Sequence, residues 1–280
     1  MSKGVLLFAS NNSHINYVKQ AYFLAKRISK YMSLPTSVVT DVDIKEKYPD
    51  WYEVFDHVIP VTSMSSAYNN KSYHDGSLAK RVLSFNNGNR GCAYDLTPYD
   101  ETLVMDTDYI ISNDILNQCF AQQKDLLLYK DAVHLGQYDG TTEFKKISDT
   151  SVDFYWATVF FFRKTYLTKI FFDLVNHIKE NYLHYRSVYQ FSSTVYRNDF
   201  AFSIAIHIMN GYTKGTFANP LPGKKFYSID RDILLEINDD EFTLLVEKPN
   251  HLGEYIGTKV KGSNVHIMNK FSLERVINDQ

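Results

Sequence analysis

The stretch ETLVMDTDYII, residues 101–111, is the most apolar strand candidate in the first half of the chain, and two carboxylates follow its central residues. Successive side chains alternate along an extended chain, so Asp106 and Asp108 point to the same side. Two carboxylates at the end of a buried strand can ligate a hard cation, Mn²⁺ or Mg²⁺, through oxygen. The same residues also suit an ordinary turn at a strand end. The neighbouring segments therefore decide the interpretation of this pair.

Short apolar runs alternate with helical patterns before this stretch, which predicts βαβ units and a mostly parallel sheet. The predicted strands are Val5–Ala9, Ser37–Thr40 and His57–Val61, and the predicted helices are Asn16–Tyr31 and Ser77–Phe85. Such sheets bind ligands at the carboxyl ends of their strands. The polar loop that begins at Ser10 and Asn11 should therefore lie at the same edge as the Asp106–Asp108 turn.

The second half of the chain has a different pattern. The aromatic run Phe154–Arg163 predicts a strand, and Tyr166–Tyr185 and Asp199–Asn210 predict amphipathic helices. After Gly211 the chain is β-rich and irregular, and we expect a mobile loop at residues 253–263. The further predicted strands are 225–229, 234–237, 242–247 and 265–268. Without a repeat or a Pro/Gly linker, we predict one domain, residues 1–280, with a nucleotide-binding half, 1–112, and an acceptor- and sugar-binding half, 113–280.

The composition excludes several classes of protein. With 44% hydrophobic residues the chain predicts a sizeable core, and a formal net charge of −2 argues against an overall nucleic-acid-binding surface. Cys92 and Cys119 do not make a disulfide framework or a zinc motif. No signal-peptide core or membrane span is present, so we expect no membrane partner and a cytoplasmic location. The sequence alone does not predict the oligomeric state.

The segment RGCAYDLTPYDETLVMDTDY, residues 90–109, resembles nucleotide-sugar glycosyltransferases of the GT-A fold. In those enzymes a basic residue on a helix and a Leu-Thr-x-Tyr turn precede the apolar strand and its Asp-x-Asp. Arg90 stands sixteen positions before Asp106, the offset found in that family. The resemblance implies a GT-A-like (Rossmann-like) α/β fold, with a mixed, mostly parallel sheet flanked by helices and a β-rich, irregular C-terminal part. It also implies Mn²⁺ or Mg²⁺ as the metal and a nucleoside-diphosphate sugar as the donor.

The same resemblance assigns expected roles around the donor. Arg90 would approach the diphosphate or ribose. Ala9, Ser10 and Asn11 would bind the base and ribose. Thr107, which lies between the two carboxylates, would also contact the donor.

Later segments would complete the site. His266 would be the third metal ligand beside Asp106 and Asp108, and Lys270 would neutralise the diphosphate. The His-x-x-x-Lys spacing departs from the more familiar His-x-x-Gly-x-x-Lys. Trp156 would stack on a sugar or a base, or simply belong to the core.

Asp108 and Asp199 are the expected catalytic residues. Asp199 would bind sugar hydroxyls or act as a base, with Asn198 capping its helix. The Asn-x-Gly of the family's donor-sugar strand is absent here, which leaves the identity of the sugar open.

Other functions remain open on sequence alone. A haloacid-dehalogenase-type phosphohydrolase shares the Asp-x-Asp but places it at the start of the domain, and a nucleotidyltransferase would have a Gly-rich first loop with an Arg/Lys pair. A GT-A-like binding module without catalysis is the non-enzymatic alternative.

The acceptor is a separate question. The chain also resembles stand-alone bacteriophage glycosyltransferases, which makes a hydroxymethylated base in phage DNA a candidate acceptor, with glycans and proteins as alternatives. The basic residues that could contact DNA are Lys71, Lys80, Arg81, Lys214, Lys224, Lys225, Lys259 and Lys261.

Overall fold

A computed structural model describes residues 1–62, 70–84, 90–136, 144–149 and 151–278. The strands are Lys3–Ala9 (β1), Thr36–Thr40 (β2), His57–Pro60 (β3), Asn70–Asp75 (β4), Ala79–Ser84 (β5), Glu101–Met105 (β6), Tyr109–Ile110 (β7), Leu126–Tyr129 (β8), Ala132–His134 (β9), Trp156–Arg163 (β10), Asn219–Pro220 (β11), Lys225–Ser228 (β12), Ile233–Asn238 (β13), Glu241–Glu247 (β14), Tyr255–Lys261 (β15) and Val265–Ile267 (β16). The α-helices are Tyr17–Met32 (α1), Ile44–Lys47 (α2), Pro49–Tyr52 (α3), Ala93–Leu96 (α4), Tyr166–Glu180 (α5), Tyr182–Tyr189 (α6), Asn198–Met209 (α7) and Lys270–Asn278 (α8). Two 3₁₀ segments span Arg90–Cys92 and Ile115–Ala121.

The central sheet has seven strands in the order β11-β8-β10-β6-β1-β2-β3. The strands β6, β1, β2 and β3 are parallel neighbours, β11 is parallel to β8, and β10 is antiparallel to both β6 and β8. Helix α1 packs on β1 and β2, and α7 packs on β10. The prediction of a mixed, mostly parallel α/β sheet flanked by helices is therefore confirmed.

The first βα unit shows why these residues fold in this way. Five residues of β1 are fully or almost fully buried, as expected for a parallel strand that is covered on both faces. The Asn16 side chain then accepts a hydrogen bond from Lys19 N and caps α1, which buries Val18, Leu24 and Ile28 on one stripe. The apolar stripe of α1 thus covers the sheet whose strand ends carry the polar loops.

The C-terminal part is β-rich, as the sequence predicts, and it closes on the end of β6. A four-stranded sheet has the order β7-β16-β12-β9, and β13, β14 and β15 form an antiparallel sheet. Strand β16 pairs antiparallel with β7, which sets His266 opposite Tyr109. Since β7 follows the Asp106–Asp108 turn directly, this pairing brings a late segment of the chain to the carboxylate pair.

Several predicted elements are wrong. The helix predicted at Ser77–Phe85 is wrong: Ser77 and Leu78 lie in the turn of a β4–β5 hairpin, Ala79–Ser84 is strand β5, and Phe85 lies outside the described residues. The loop expected at 253–263 contains β15, which is paired along its length with β14. The long helix predicted from Tyr166 is two helices, because Asn181 ends the first.

The two predicted halves share the central sheet, because β8, β10 and β11 come from residues 113–280. The single domain stays a prediction. Among the described residues, no helix combines the length and apolar character needed to cross a membrane.

Candidate metal centre

A cleft of about 490 Å³ lies at the carboxyl ends of β1 and β6. The turn after β6, the start of α7 and the segment from β16 into α8 contribute to its walls, and β4 of the hairpin adds a further lining segment. Elements that are distant in the chain thus meet around one concave surface.

The centre of the cleft holds Asp106, Asp108 and His266, whose ligand atoms all lie within 4.8 Å of one another. His266 Nε2 is 3.1 Å from Asp108 Oδ2 and 3.9 Å from Asp106 Oδ2. Two carboxylates and one imidazole are a donor set that Mn²⁺ accepts, so these residues fit the expected metal. Sequence reasoning therefore selected three side chains that the fold brings together.

The backbone fixes the two carboxylates in place. Asp106 N donates to Thr158 O at 2.8 Å, and Tyr109 N donates to Asp106 O at 3.2 Å. Ile267 N donates to Asp108 O at 2.9 Å, which ties the turn to β16. The geometry of the metal centre therefore depends on β10 and β16 as well as on β6.

Burial and charge set the ionisation states of the cluster. Burial raises the pKa of Asp108, but His266 and Lys270 outweigh it and hold that pKa well below its usual range. Burial lowers the pKa of His266 to about 4 although Asp108 opposes the shift. Near neutral pH the cluster therefore offers a charged carboxylate and a neutral imidazole, the forms that ligate metals.

Each carboxylate also has a cationic partner. Arg90 forms an ion pair through Nη2 with Asp106 Oδ1, and its Nη1 donates to Ala157 O at 2.9 Å. Lys270 Nζ is 2.7 Å from Asp108 Oδ2. Asp106 binds Arg90 through Oδ1, so its Oδ2 is the oxygen nearer His266. Both predicted diphosphate contacts thus lie beside the predicted metal ligands.

Asp199 lies in the same cleft at the start of α7. Its Oδ1 accepts a hydrogen bond from Ala157 N at 2.8 Å, and its Oδ2 is 3.3 Å from Arg197 Nη2. The expected cap of this helix is wrong, because Arg197 is the N-cap residue and Asn198 is already helical. Asp199 is therefore held by two partners.

The predicted donor-binding residues separate into two groups. Ser10, Thr107 and Trp156 line the cleft, but Trp156 is only 2% exposed and belongs to the core, the second of its two expected roles. Ala9 and Asn11 are not among the described residues that line it: Ala9 is fully buried, and Asn11 Oδ1 accepts from Val18 N at 3.0 Å. The loop after β1 thus reaches the cleft through Ser10, while Asn11 fixes the start of α1.

Lys225 is a neighbour of the candidate site that sequence reasoning had placed on the protein surface. Its Nζ lies 2.7 Å from Thr158 Oγ1 and 3.5 Å from His266 Nδ1, behind the cleft floor. Burial lowers its pKa to about 7, although Asp199 and Asp108 act in the opposite direction. Its expected role as a surface contact to DNA is wrong, because the residue is fully buried. A lysine at the start of a strand carries no local signal that it will be central in a sheet.

Further lining residues were also missed. They come from β4, which the sequence did not predict, and from the segment before α7. These residues are Asn70, Ser72, Ser193, Val195 and Arg197, and Lys71, which the sequence named only as a possible DNA contact, lines the cleft beside them.

Comparison with known proteins gave structural similarity only. No family model matches the chain, and no curated protein matches its sequence. The structure is similar to the glycosyltransferase GlyE from Streptococcus pneumoniae TIGR4, with 12% identity, a TM-score of 0.46, and coverage of 79% of this chain and 45% of that one. It is similar to the galactosyltransferase LgtC in complex with donor and acceptor sugar analogues, with 12% identity, a TM-score of 0.44, and coverage of 72% and 70%. It is also similar to mouse xyloside xylosyltransferase 1 in its apo form, with 11% identity, a TM-score of 0.46, and coverage of 79% of this chain and 85% of that one. The chain thus spans less than half of the pneumococcal structure.

Proposed function

We propose that this protein is a metal-dependent glycosyltransferase that moves a sugar from a nucleoside-diphosphate donor to an acceptor hydroxyl. The observation that carries the proposal is the convergence of Asp106, Asp108 and His266 in one cleft, with Arg90 and Lys270 in contact with the two carboxylates. A set of metal-ligating side chains beside two positively charged side chains suits an anionic diphosphate that is bound through a metal ion.

In this proposal the residues of the cleft have separate roles. Asp106, Asp108 and His266 would hold the Mn²⁺ or Mg²⁺ ion, which would supply charge neutralisation for the leaving diphosphate. Arg90 and Lys270 donate charge-assisted hydrogen bonds to diphosphate oxygens. Arg90 and Lys270 are largely buried, so water screens these contacts less than it would at an exposed surface.

Asp199 acts on the sugar in this proposal. Both of its oxygens already accept hydrogen bonds, yet a carboxylate has about four acceptor positions, so it can also accept from a sugar hydroxyl. Its two partners fix its orientation. That arrangement supports a positioning role in the cleft more directly than proton transfer.

A catalytically inactive binding module is the alternative class. The intact carboxylate–imidazole cluster favours the enzyme, because a domain that has lost catalysis would be expected to lose its metal ligands first. Transfer to a glycan or a protein remains compatible with the cleft.

A hydroxymethylated base in DNA is a second candidate acceptor. Lys71 lines the cleft, and Lys80 and Arg81 lie on the paired strand β5, so basic side chains occur on this hairpin. Lys225 is removed from the set of phosphate contacts by its burial. Incubation of the enzyme with labelled donors and hydroxymethylated duplex DNA tests this acceptor directly.

The donor half of the proposal is tested without any acceptor. The enzyme is incubated with Mn²⁺ and a panel of UDP-, GDP- and TDP-sugars, and the release of nucleoside diphosphate is measured. We expect slow, metal-dependent release from one donor, loss of release in Asp106→Asn, and unchanged release in Asp173→Asn, which alters an exposed carboxylate on α5. No release from any donor would favour the binding module.

A further inference from the structure

A second cavity, of about 540 Å³, lies next to the cleft. The two share one lining side chain, Phe144. The Phe144 ring centroid is 4.8 Å from that of Trp156, which lines the cleft, and 6.0 Å from that of Tyr227, which lines the second cavity. Phe144 therefore lies at the boundary between the two adjoining spaces.

The floor of the second cavity includes His134 and Tyr227, and His134 belongs to a buried hydrogen-bond network. His134 Nε2 lies 2.9 Å from Asp232 Oδ2, and both side chains are buried. Asp232 also accepts hydrogen bonds from Ile229 N at 2.9 Å and Glu247 N at 3.0 Å. The His134 and Tyr227 rings are tilted against each other with their centroids 5.3 Å apart. The floor thus presents aromatic rings that are locked in place by a buried hydrogen-bond network.

The rim of the cavity carries charges that pair with one another. Arg231 Nε is 3.2 Å from Glu247 Oε2, and Glu247 Oε1 accepts from Gly253 N at 3.2 Å. Lys248 Nζ is 3.1 Å from Glu254 Oε2. The Arg231 side chain is still 45% exposed, so its remaining N–H groups can reach a ligand. Aromatic faces with paired charges suit an uncharged polyhydroxylated ring better than a phosphate or a carboxylate.

We infer that the second cavity binds an uncharged sugar ring of the acceptor. This inference rests on the proposed function, since a transferase needs its two substrates side by side. The aromatic side chains of Phe144 and Tyr227 cover the apolar faces of the ring, and Arg231 and Glu247 bind its hydroxyls. An acceptor held there extends past Phe144 into the cleft that holds the candidate metal ligands.

Saturation-transfer NMR tests the assignment with named probes: methyl β-glucoside, methyl β-galactoside, lactose and maltose, each up to about 50 mM. We expect at least one sugar to bind the wild-type protein, and Arg231→Ala to weaken that binding about tenfold, the size of one charge-assisted hydrogen bond. The matched control is Arg275→Ala, an exposed arginine on α8 that also pairs with a carboxylate but does not line the cavity, and which should bind as the wild type does. Inorganic phosphate and 5-hydroxymethyl-deoxycytidine monophosphate serve as anionic probes.

Three results would overturn the inference: no sugar binds, Arg231→Ala binds sugar as tightly as the wild type, or an anionic probe binds in place of the sugars with the same dependence on Arg231. Release of nucleoside diphosphate without acceptor is measured on the same samples. If wild-type release is absent while sugar binding depends on Arg231, the proposed function fails and the acceptor role fails with it, but the sugar site stands. If release is present and sugar binding fails, only the inference is lost.

Discussion

Replacement of Asp108 by Asn removes the carboxylate that Lys270 and His266 share. The side chains of Asp108 and Lys270 are only 4% and 10% exposed, so the substitution leaves an ammonium group buried without its counter-charge. Breaking a buried ion pair on one side costs about 3–5 kcal/mol. For a chain of this size about 1 kcal/mol corresponds to a few degrees, so we expect Asp108→Asn to lower the Tm by roughly 10 °C.

A second variant separates the charge effect from loss of the metal ligand. Asp108→Asn combined with Lys270→Met leaves no uncompensated ammonium, so it should recover most of the lost Tm. Neither the single nor the double variant should bind Mn²⁺, because both lack the Asp108 carboxylate. In the wild type, Mn²⁺ at one hundred times its Kd stabilises the native state by about 2.7 kcal/mol. Thermal unfolding followed by circular dichroism, with Mn²⁺ and with EDTA, measures both effects.

Two outcomes would refute this reasoning. A wild-type Tm for Asp108→Asn would show that the Lys270 ion pair is not a buried one, and a full Mn²⁺-induced shift in that variant would show that Asp108 is not a ligand. Asp173→Asn is the control, because the ion pair of Asp173 with Lys169 lies on an exposed helix face.

The remaining predictions concern the donor, the metal and the core. Arg90→Met should weaken binding of the donor nucleoside diphosphate about 10–100-fold in isothermal titration in the presence of Mn²⁺, because one or two charge-assisted hydrogen bonds are lost; an unchanged Kd would exclude Arg90 as a diphosphate contact. Treatment with EDTA should abolish nucleoside diphosphate release, and Mn²⁺ or Mg²⁺ should restore it; release that persists in EDTA would contradict the metal requirement. Gly4→Ala should lower the free energy of unfolding by about 1–3 kcal/mol in a urea titration, because its Cβ would lie 2.4–2.7 Å from ring atoms of Tyr99. An unchanged urea midpoint would mean that Tyr99 moves freely away.

The sequence predicted those parts of the fold that leave a pattern of apolar residues within a short segment. The apolar run Leu103–Met105 is buried in the sheet, and its apolar character is visible in the sequence without knowledge of its partner strands. The positions of Arg90 and His266 were found through resemblance to a family motif. No periodicity in the sequence shows that β16 pairs with β7 and carries His266 to the carboxylates.

The failures share a physical cause, which is pairing between distant or weakly patterned strands. The segment Ala79–Ser84 has helix-forming residues and exposes Val82, yet it pairs with β4 and folds as a strand. Lys225 reads as a surface lysine, but β12 lies between β9 and β16, and its neighbours bury it. Tertiary context decided both cases over the intrinsic preference of the residue.

The pairing of β16 with β7 also determines the order in which the parts of the candidate site can assemble during synthesis. His266 follows Asp108 by 158 residues, so the cluster cannot form until a very long stretch of chain has closed on itself. During synthesis β1, β2 and β6 leave the ribosome well before β16. A nascent chain therefore carries both carboxylates and Arg90 before it carries the imidazole. Assembly of the complete candidate site is then a late event, and metal binding at that site would report that the sheet containing β16 has formed, not only the central sheet.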